Sequence, residues 1–242
     1  DKQKNFSNID LLADEISETD IILLPEMFNT SFVPNDIDLA EEMSGSSVNW
    51  MKSLAKRKNA SVAGTLMIKE KDLYYNRLVW VTKDGDLYTY DKCHLFSLAK
   101  EDARLTKGKE KIIIKHNGWN ICPLICYDIR FPVFCRNQDD YDVLIFLSSW
   151  PEKRINAWDT LLQARAIENQ CFTIGVNRVG QDQSGFFFPG HSLAYDSFGN
   201  TLLDLSDQKN IVGNVIFSKE KLNFQRRQMN FLKDRDQFTI NR

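Results

Sequence analysis

The sequence predicts a mixed α/β fold in which two β-sheets form a sandwich flanked by helices. Three observations lead there. Apolar runs of strand length recur along the 242 residues, among them IILLP, SVAGTLMI, ICPLIC and DVLIFLS. Two turn dipeptides, Asp84-Gly85 and Asn117-Gly118, link neighbouring runs as hairpins, because both residue types tolerate the positive φ of a tight turn. Helical spacing falls between only some of the strands, which disfavours a simple doubly wound sheet.

The elements follow in chain order. Ile9, Leu12, Ala13 and Ile16 recur at helical spacing, and Ser7 is placed to cap that first helix. IILLP is a buried strand. Ser46 or Ser47 caps a second helix with Val48, Met51, Leu54 and Ala55 on one face, and Lys56 to Lys58 form its solvated end. SVAGTLMI, LVWVT and LYTYDK read as strands, then KIIIKH and NICPLIC. DVLIFLS suits a strand covered on both faces. A long helix from about Ile155 to Gln170 buries Trp158, Leu161, Leu162 and the stem of Arg165, with Arg165 and Glu168 three apart as a helix-surface pair. CFTIGVN, HSLAYD, TLLDL and IVGNVIF continue the strands, and a polar helix near Lys219 to Gln228 closes the series. No linker, repeat or low-complexity tract interrupts it, so residues 1–242 read as a single domain.

With 43% hydrophobic and 26% charged residues the chain has an ordinary globular composition. A net charge of -2 gives no electrostatic reason for nucleic acid as the main partner. The five cysteines are odd in number and lack small-scaffold spacing, which favours free thiols in a reducing compartment. Cys122 and Cys126 are four apart with the three histidines far away, so no zinc site is expected. No signal-like opening is visible, and VLIFL is far too short to span a bilayer. The expectation is a cytoplasmic protein off the membrane, without metal or other cofactor.

Three strand ends carry chemistry. Cys126 closes ICPLIC just before the chain breaks into YDIRFP, a place that suits an exposed nucleophile better than core filler. A thiol attacks only as thiolate, and a nearby ammonium favours that form. Lys92, ending YTYDK, offers such a charge and a partner for an oxyanion. Glu26, after IILLP, offers a general acid/base that takes a proton and returns it. Singly, each also fits a bland role: a Pro-Glu turn, an edge-strand lysine, a packed cysteine.

Together PEMFNTSF, YDKCHLFSLAKED and LICYDIRFP resemble, in order and spacing, the three motif blocks of the nitrilase superfamily of carbon–nitrogen hydrolases. The resemblance implies a four-layer αββα sandwich, with Glu26 as general base, Lys92 as triad lysine and Cys126 as nucleophile. It implies further that Glu101, nine residues beyond Lys92, is the second glutamate near the triad, against its alternative as a solvated charge. The backbone N–H of Tyr127 would complete the oxyanion site. SSWPEKRINAWDTLLQARAIENQCFTIGVNRVG is similar to the ω-amidase branch, which acts on 2-oxoglutaramate and related ω-monoamides of dicarboxylic acids. That branch implies hydrolysis to carboxylate and ammonia through a cysteine thioester, and at least a homodimer.

Two departures stand out: the family's opening core strand has no counterpart before DKQKN, and Val133 stands where many relatives carry Glu. If the substrate's far end is a carboxylate, Arg130 is a candidate to grip it bidentately, or else it forms a structural ion pair. Trp150 is either a pocket wall or core packing. Phe186 to Phe188 form either a covering loop or a dimer contact. Competing functions are hydrolysis of an N-carbamoyl amino acid or a nitrile by the same triad, and a non-catalytic binding homologue.

Overall fold

Left-handed backbone sits where the turn dipeptides require it: Gly85 has φ 93°, and Asn117 and Gly118 have φ 47° and 80°. The computed structural model describes residues 1–206 and 211–241. These residues form two units, Asp1–Glu110 with Ile211 and Val212, and Lys111 onward.

The first unit contains α1 (Lys2–Asp14), β1 (Ile21–Leu23), α2 (Ser46–Lys58), β2 (Ser61–Glu70), β3 (Leu73–Val81) and β4 (Leu87–Asp91). Its sheet runs β1-β2-β3-β4, with β1 parallel to β2 and the other pairs antiparallel. Alternation along the strands gives each face a different task. Val62, Leu66 and Ile68 of β2 and Val79 and Val81 of β3 join Phe6, Ala13, Met51 and Leu54 from the two helices in one core. Each fully buried valine, leucine, isoleucine, phenylalanine or methionine among them contributes about 1.5–3 kcal/mol. Phe6 stacks on Trp50 at 4.8 Å and 10°. The alternate positions, Thr65 and Met67 of β2 with Asn76 opposite Met67 on β3, lie on the other face. There Thr65 Oγ1 accepts the Met27 N–H at 2.8 Å. A Cβ at Gly64 would fall 2.7 Å from the Phe28 ring, so glycine lets the segment after β1 lie against β2.

The second unit contains β5 (Ile114–His116), β6 (Trp119–Ile125), α3 (Pro132–Cys135), β7 (Val143–Ser148), α4 (Ile155–Asn169), β8 (Phe172–Asn177), β9 (Val179–Gln181), β10 (Phe187–Pro189), β11 (Leu193–Tyr195), β12 (Thr201–Asp204) and α5 (Lys219–Gln228). Its main sheet runs β12-β11-β8-β7-β6-β5. The centre, β6-β7-β8, is parallel, and β5, β11 and β12 add antiparallel edges. Every residue of β7 is buried, as its unbroken apolar run predicts. Helix α4 packs closely on β8 because Gly175 has no side chain: a Cβ there would lie 2.3 Å from Leu162 and 2.5 Å from Trp158.

Several local expectations change. Helix α1 starts earlier than its apolar spacing suggests, because Asp1 caps it by accepting the Lys4 N–H at 3.2 Å, and Ser7 lies inside the helix. At α2 the N-cap is Gly45, and the capping oxygen comes from Glu41, which accepts the Ser47 N–H at 2.9 Å. A carboxylate remote in sequence thus does the work expected of a local serine. Of KIIIKH only Ile114–His116 pairs as strand. IVGNVIF forms no strand; Phe217 instead stacks on Phe172 at 4.2 Å and 6°. Its alternation reports burial of a side chain, not the availability of a neighbouring strand. The Phe186–Phe188 stretch is part of a hairpin, with β10 antiparallel to β9. Among the described residues no helix is long and apolar enough to cross a membrane.

Candidate active site

In the first unit, three ionisable side chains meet without solvent. Lys92 directly follows β4; its N–H donates to the Asn76 carbonyl at 2.9 Å and its carbonyl accepts from Gly108 at 2.8 Å. This fixes the backbone and sends the side chain inward. Lys92 Nζ lies 2.8 Å from Glu26 Oε1 and 2.9 Å from Glu101 Oε2, and all three side chains are 0% exposed. Asn76 Nδ2 donates to both Glu26 Oε1 and Glu101 Oε1 at 2.9 Å, bridging the two carboxylates. The Phe96 N–H donates to Glu101 Oε2 at 2.6 Å, and Lys92 Nζ sits 5.1 Å from the Phe32 ring centre. Burial pushes the Glu101 carboxyl above its ordinary range; Lys92 opposes the rise and the charge of Glu26 adds to it. One ammonium held between two dry carboxylates is suited to passing a proton and to facing a developing negative charge. Glu101 is therefore buried in a network, not solvated.

In the second unit, Cys126 sits at a backbone corner. Ile125 ends β6 in extended conformation, and Cys126 then takes φ 43°, a left-handed value that costs a residue with a Cβ about 1–3 kcal/mol. A 3-10 turn over Cys126–Arg130 follows, and Pro132 opens α3 at the first helical position, where its missing N–H is no loss. Hydrogen bonds lock the corner from behind. Asp128 Oδ2 accepts the Ile125 N–H at 3.0 Å, and the Asp128 carbonyl accepts from the Phe131 N–H at 3.0 Å and the Cys135 thiol at 3.2 Å. Cys126 is half-buried, whereas Cys93, Cys122, Cys135 and Cys171 are buried. Burial raises the Cys122 and Cys135 thiols and pushes Cys171 up to about 12.

The remaining expected residues belong to this second unit. Tyr127 is half-buried and meets Phe131 edge-on at 5.2 Å. Arg130 is exposed, its guanidinium 4.7 Å from the Trp150 ring centre. Trp150 is buried and packs on Trp158 at 5.7 Å, so it serves as core on one side and as a platform for Arg130 on the other. Asn177 fixes Trp150 by accepting its N–H at 2.6 Å and donating to its carbonyl at 3.0 Å.

Arg165 is not the surface residue its spacing suggested. It is 4% exposed, and besides Glu168 at 2.8 Å it donates to the Ile129 carbonyl from Nε at 3.0 Å and from Nη2 at 2.6 Å. Sequence reasoning also missed Asn76 and Arg154. Asn76 had a signal, a strand-averse amide amid the apolar run YYNRLVWV. Arg154, half-buried ahead of α4, gave none; burial lowers its guanidinium, against the pull of Cys126, with Arg130 lowering it further. Among the described residues no group of three or more His, Cys, Asp or Glu is placed to hold a metal ion.

The family model for carbon-nitrogen hydrolases matches residues 1–216. The omega-amidase YafV of Yersinia enterocolitica is 40% identical over 82% of this chain and 77% of its own. The 2-oxoglutaramate amidase of Bacillus subtilis is 36% identical over 82% of this chain and 78% of its own. A solved CN-hydrolase superfamily protein from Xanthomonas campestris, with an arsenic adduct in its active site, superposes with TM-score 0.96, covering 100% of this chain and 94% of its own at 37% identity. That superposition bears out the expected nitrilase-type α/β fold.

Proposed function

Because the chain belongs to the carbon–nitrogen hydrolase family, we propose that it cleaves the terminal carboxamide of a small ω-monoamide of a dicarboxylic acid, of the 2-oxoglutaramate or succinamate type. One observation carries the reading to named residues: the half-exposed Cys126 at a left-handed strand end, in a chain that also seals a Glu26–Lys92–Glu101 network. The thiol of Cys126 gives its proton to Glu26 and its sulfur bonds to the amide carbon. The oxyanion is held by Lys92 and the Tyr127 N–H. Glu26 returns the proton to the nitrogen, the C–N bond breaks and ammonia leaves a thioester on Cys126. Glu26 then takes a proton from water, hydroxide adds to the thioester, and the C–S bond breaks to release the acid product while Glu26 returns its proton to the sulfur of Cys126. Glu101 keeps Lys92 charged and oriented.

Arg130, on its Trp150 platform, is the cation we assign to the far carboxylate of the substrate. A family match that runs across both units supports one hydrolase domain rather than two independent ones. Five free thiols favour the reducing cytoplasm, where the protein would act as at least a homodimer. The test is ammonia release from 2-oxoglutaramate and succinamate, set beside N-carbamoyl-β-alanine and simple nitriles, for wild type and Cys126→Ala. Turnover of the ω-amides by wild type alone is expected. Equal release by both proteins removes the mechanism, and preference for the carbamoyl compound or a nitrile removes the substrate class.

A further inference from the structure

Helix α4 reaches under the nucleophile's turn through one side chain. Arg165, 4% exposed, places both Nε and Nη2 on a single acceptor, the Ile129 carbonyl, at 3.0 and 2.6 Å. Ile129 belongs to the 3-10 turn that starts at Cys126, and the short span between them leaves little room for independent movement. The turn's next carbonyl upstream, at Asp128, is held by Cys135 and Phe131, and its entry by the Asp128 carboxylate. Glu168 at 2.8 Å fixes the third guanidinium nitrogen, so the fork cannot rotate away from Ile129. A buried guanidinium that gives two of its three nitrogens to one neutral carbonyl is an expensive way to stabilise a turn, since methionine would fill the same space without desolvating a charge. It is an effective way to hold backbone in a conformation it would otherwise leave, and Cys126 at φ 43° is such a conformation.

We infer that Arg165 is a positioning residue for Cys126: by gripping the Ile129 carbonyl it keeps the thiol and the following N–H in the attacking geometry. The inference rests on the amide-hydrolase reading for its turnover consequence, but not for its effect on the thiol. Arg165→Met keeps the stem and removes both donors; Arg165→Lys restores one donor. Ser197→Ala is the control for stability alone. Ser197 is buried, and the substitution removes its hydrogen bond to Gln225 Oε1 at 2.8 Å while leaving Arg165, Glu168 and Ile129 with all their partners.

Two readouts are taken on folded protein: steady-state hydrolysis of succinamate, and the rate of Cys126 alkylation by iodoacetamide, which needs no substrate turnover. Arg165→Met is expected to lower kcat about 100-fold with KM within about threefold, the pattern of a misplaced reacting atom. Alkylation of Cys126 falls at least about tenfold, Arg165→Lys is intermediate in both, and Ser197→Ala keeps wild-type values despite a lower melting temperature. If Arg165→Met alkylates at the wild-type rate, or Ser197→Ala slows it as much, the positioning role is overturned. Should Arg165→Met not fold, Arg165→Lys decides by the same criterion. A wild-type protein that releases no ammonia from any amide, but shows this alkylation pattern, refutes the substrate reading and leaves the positioning role standing.

Discussion

Native-state alkylation separates the five thiols by a margin that follows from the structure. Iodoacetamide reacts with thiolate, so the rate is the product of thiolate fraction and access. A thiol pushed up to about 12, as at Cys171, is ionised to about one part in 10⁴ at pH 8, whereas an ordinary thiol near 8.5 is about one quarter ionised. Ionisation alone therefore separates an ordinary thiol from Cys171 by about 2,000-fold, and the Cys122 and Cys135 thiols are raised in the same direction. Access widens the gap, because Cys122, Cys135 and Cys171 are all 0% exposed and Cys93 is 4% exposed. Reaction through global unfolding offers no shortcut: a stability of about 5–15 kcal/mol leaves at most a few chains in 10⁴ open. Brief treatment at pH 8 should give one adduct per chain, on the peptide carrying Cys126, and full labelling of all five only in denaturant. Labelling of Cys93, Cys122, Cys135 or Cys171 within about tenfold of Cys126 in folded protein would refute the burial and ionisation reasoning together.

Two other perturbations test the polar interior. Lys92→Met leaves Glu26 and Glu101 facing each other without their shared cation, so it should abolish ammonia release and lower stability by about 3–5 kcal/mol in urea unfolding; an unchanged midpoint would show that the network is not buried as described. Asp196→Asn tests pH linkage: burial raises Asp196, but hydrogen bonds from Asn200, Lys221 and the Phe198 N–H outweigh it and hold the carboxyl below its ordinary range. A depressed acid contributes stability above its unfolded value that is lost as pH falls through its folded value. The stability difference between wild type and Asp196→Asn should thus be present at pH 7 and shrink as pH falls below the ordinary aspartate range, whereas a difference that grows on acidification would contradict the sign.

What the sequence made legible was whatever depends on neighbours in the chain. Asp84-Gly85 and Asn117-Gly118 specify their hairpins through local backbone preference, and the unbroken DVLIFLS run specifies a strand covered on both faces. Cys126 was legible as a strand-end thiol for the same reason, and Glu26, Lys92 and Glu101 through motif context. Remote partners were not. Glu41 takes over the cap of α2 from serines that sit beside it, and Arg165 turns inward because the Ile129 carbonyl, 36 residues away, needs a donor. Spacing of three on a helix makes Arg165 and Glu168 a pair but cannot say which face of the helix is buried. Asn76 lies between these cases: its type was anomalous in a strand, yet only the pairing of β3 with β2 shows that it faces two carboxylates.

The least economical features of each unit coincide with the residues assigned to chemistry. An ammonium and two carboxylates sealed from water are a poor means of holding a fold, because apolar side chains of similar volume would do as well or better. A cysteine at φ 43° is likewise costly where glycine would be nearly free. Neither substitution would preserve what these groups can do, since methionine carries no proton and glycine no sulfur. The same reasoning sets Arg165 apart from the ion pairs at the surface, such as Arg57 with Asp10 at 2.6 Å, which solvent screens and which contribute little. A buried guanidinium aimed at the backbone of a strained corner makes sense when that corner must stay strained. Local stability and local function therefore pull apart at the same few positions, and those are the positions where substitution separates folding from turnover.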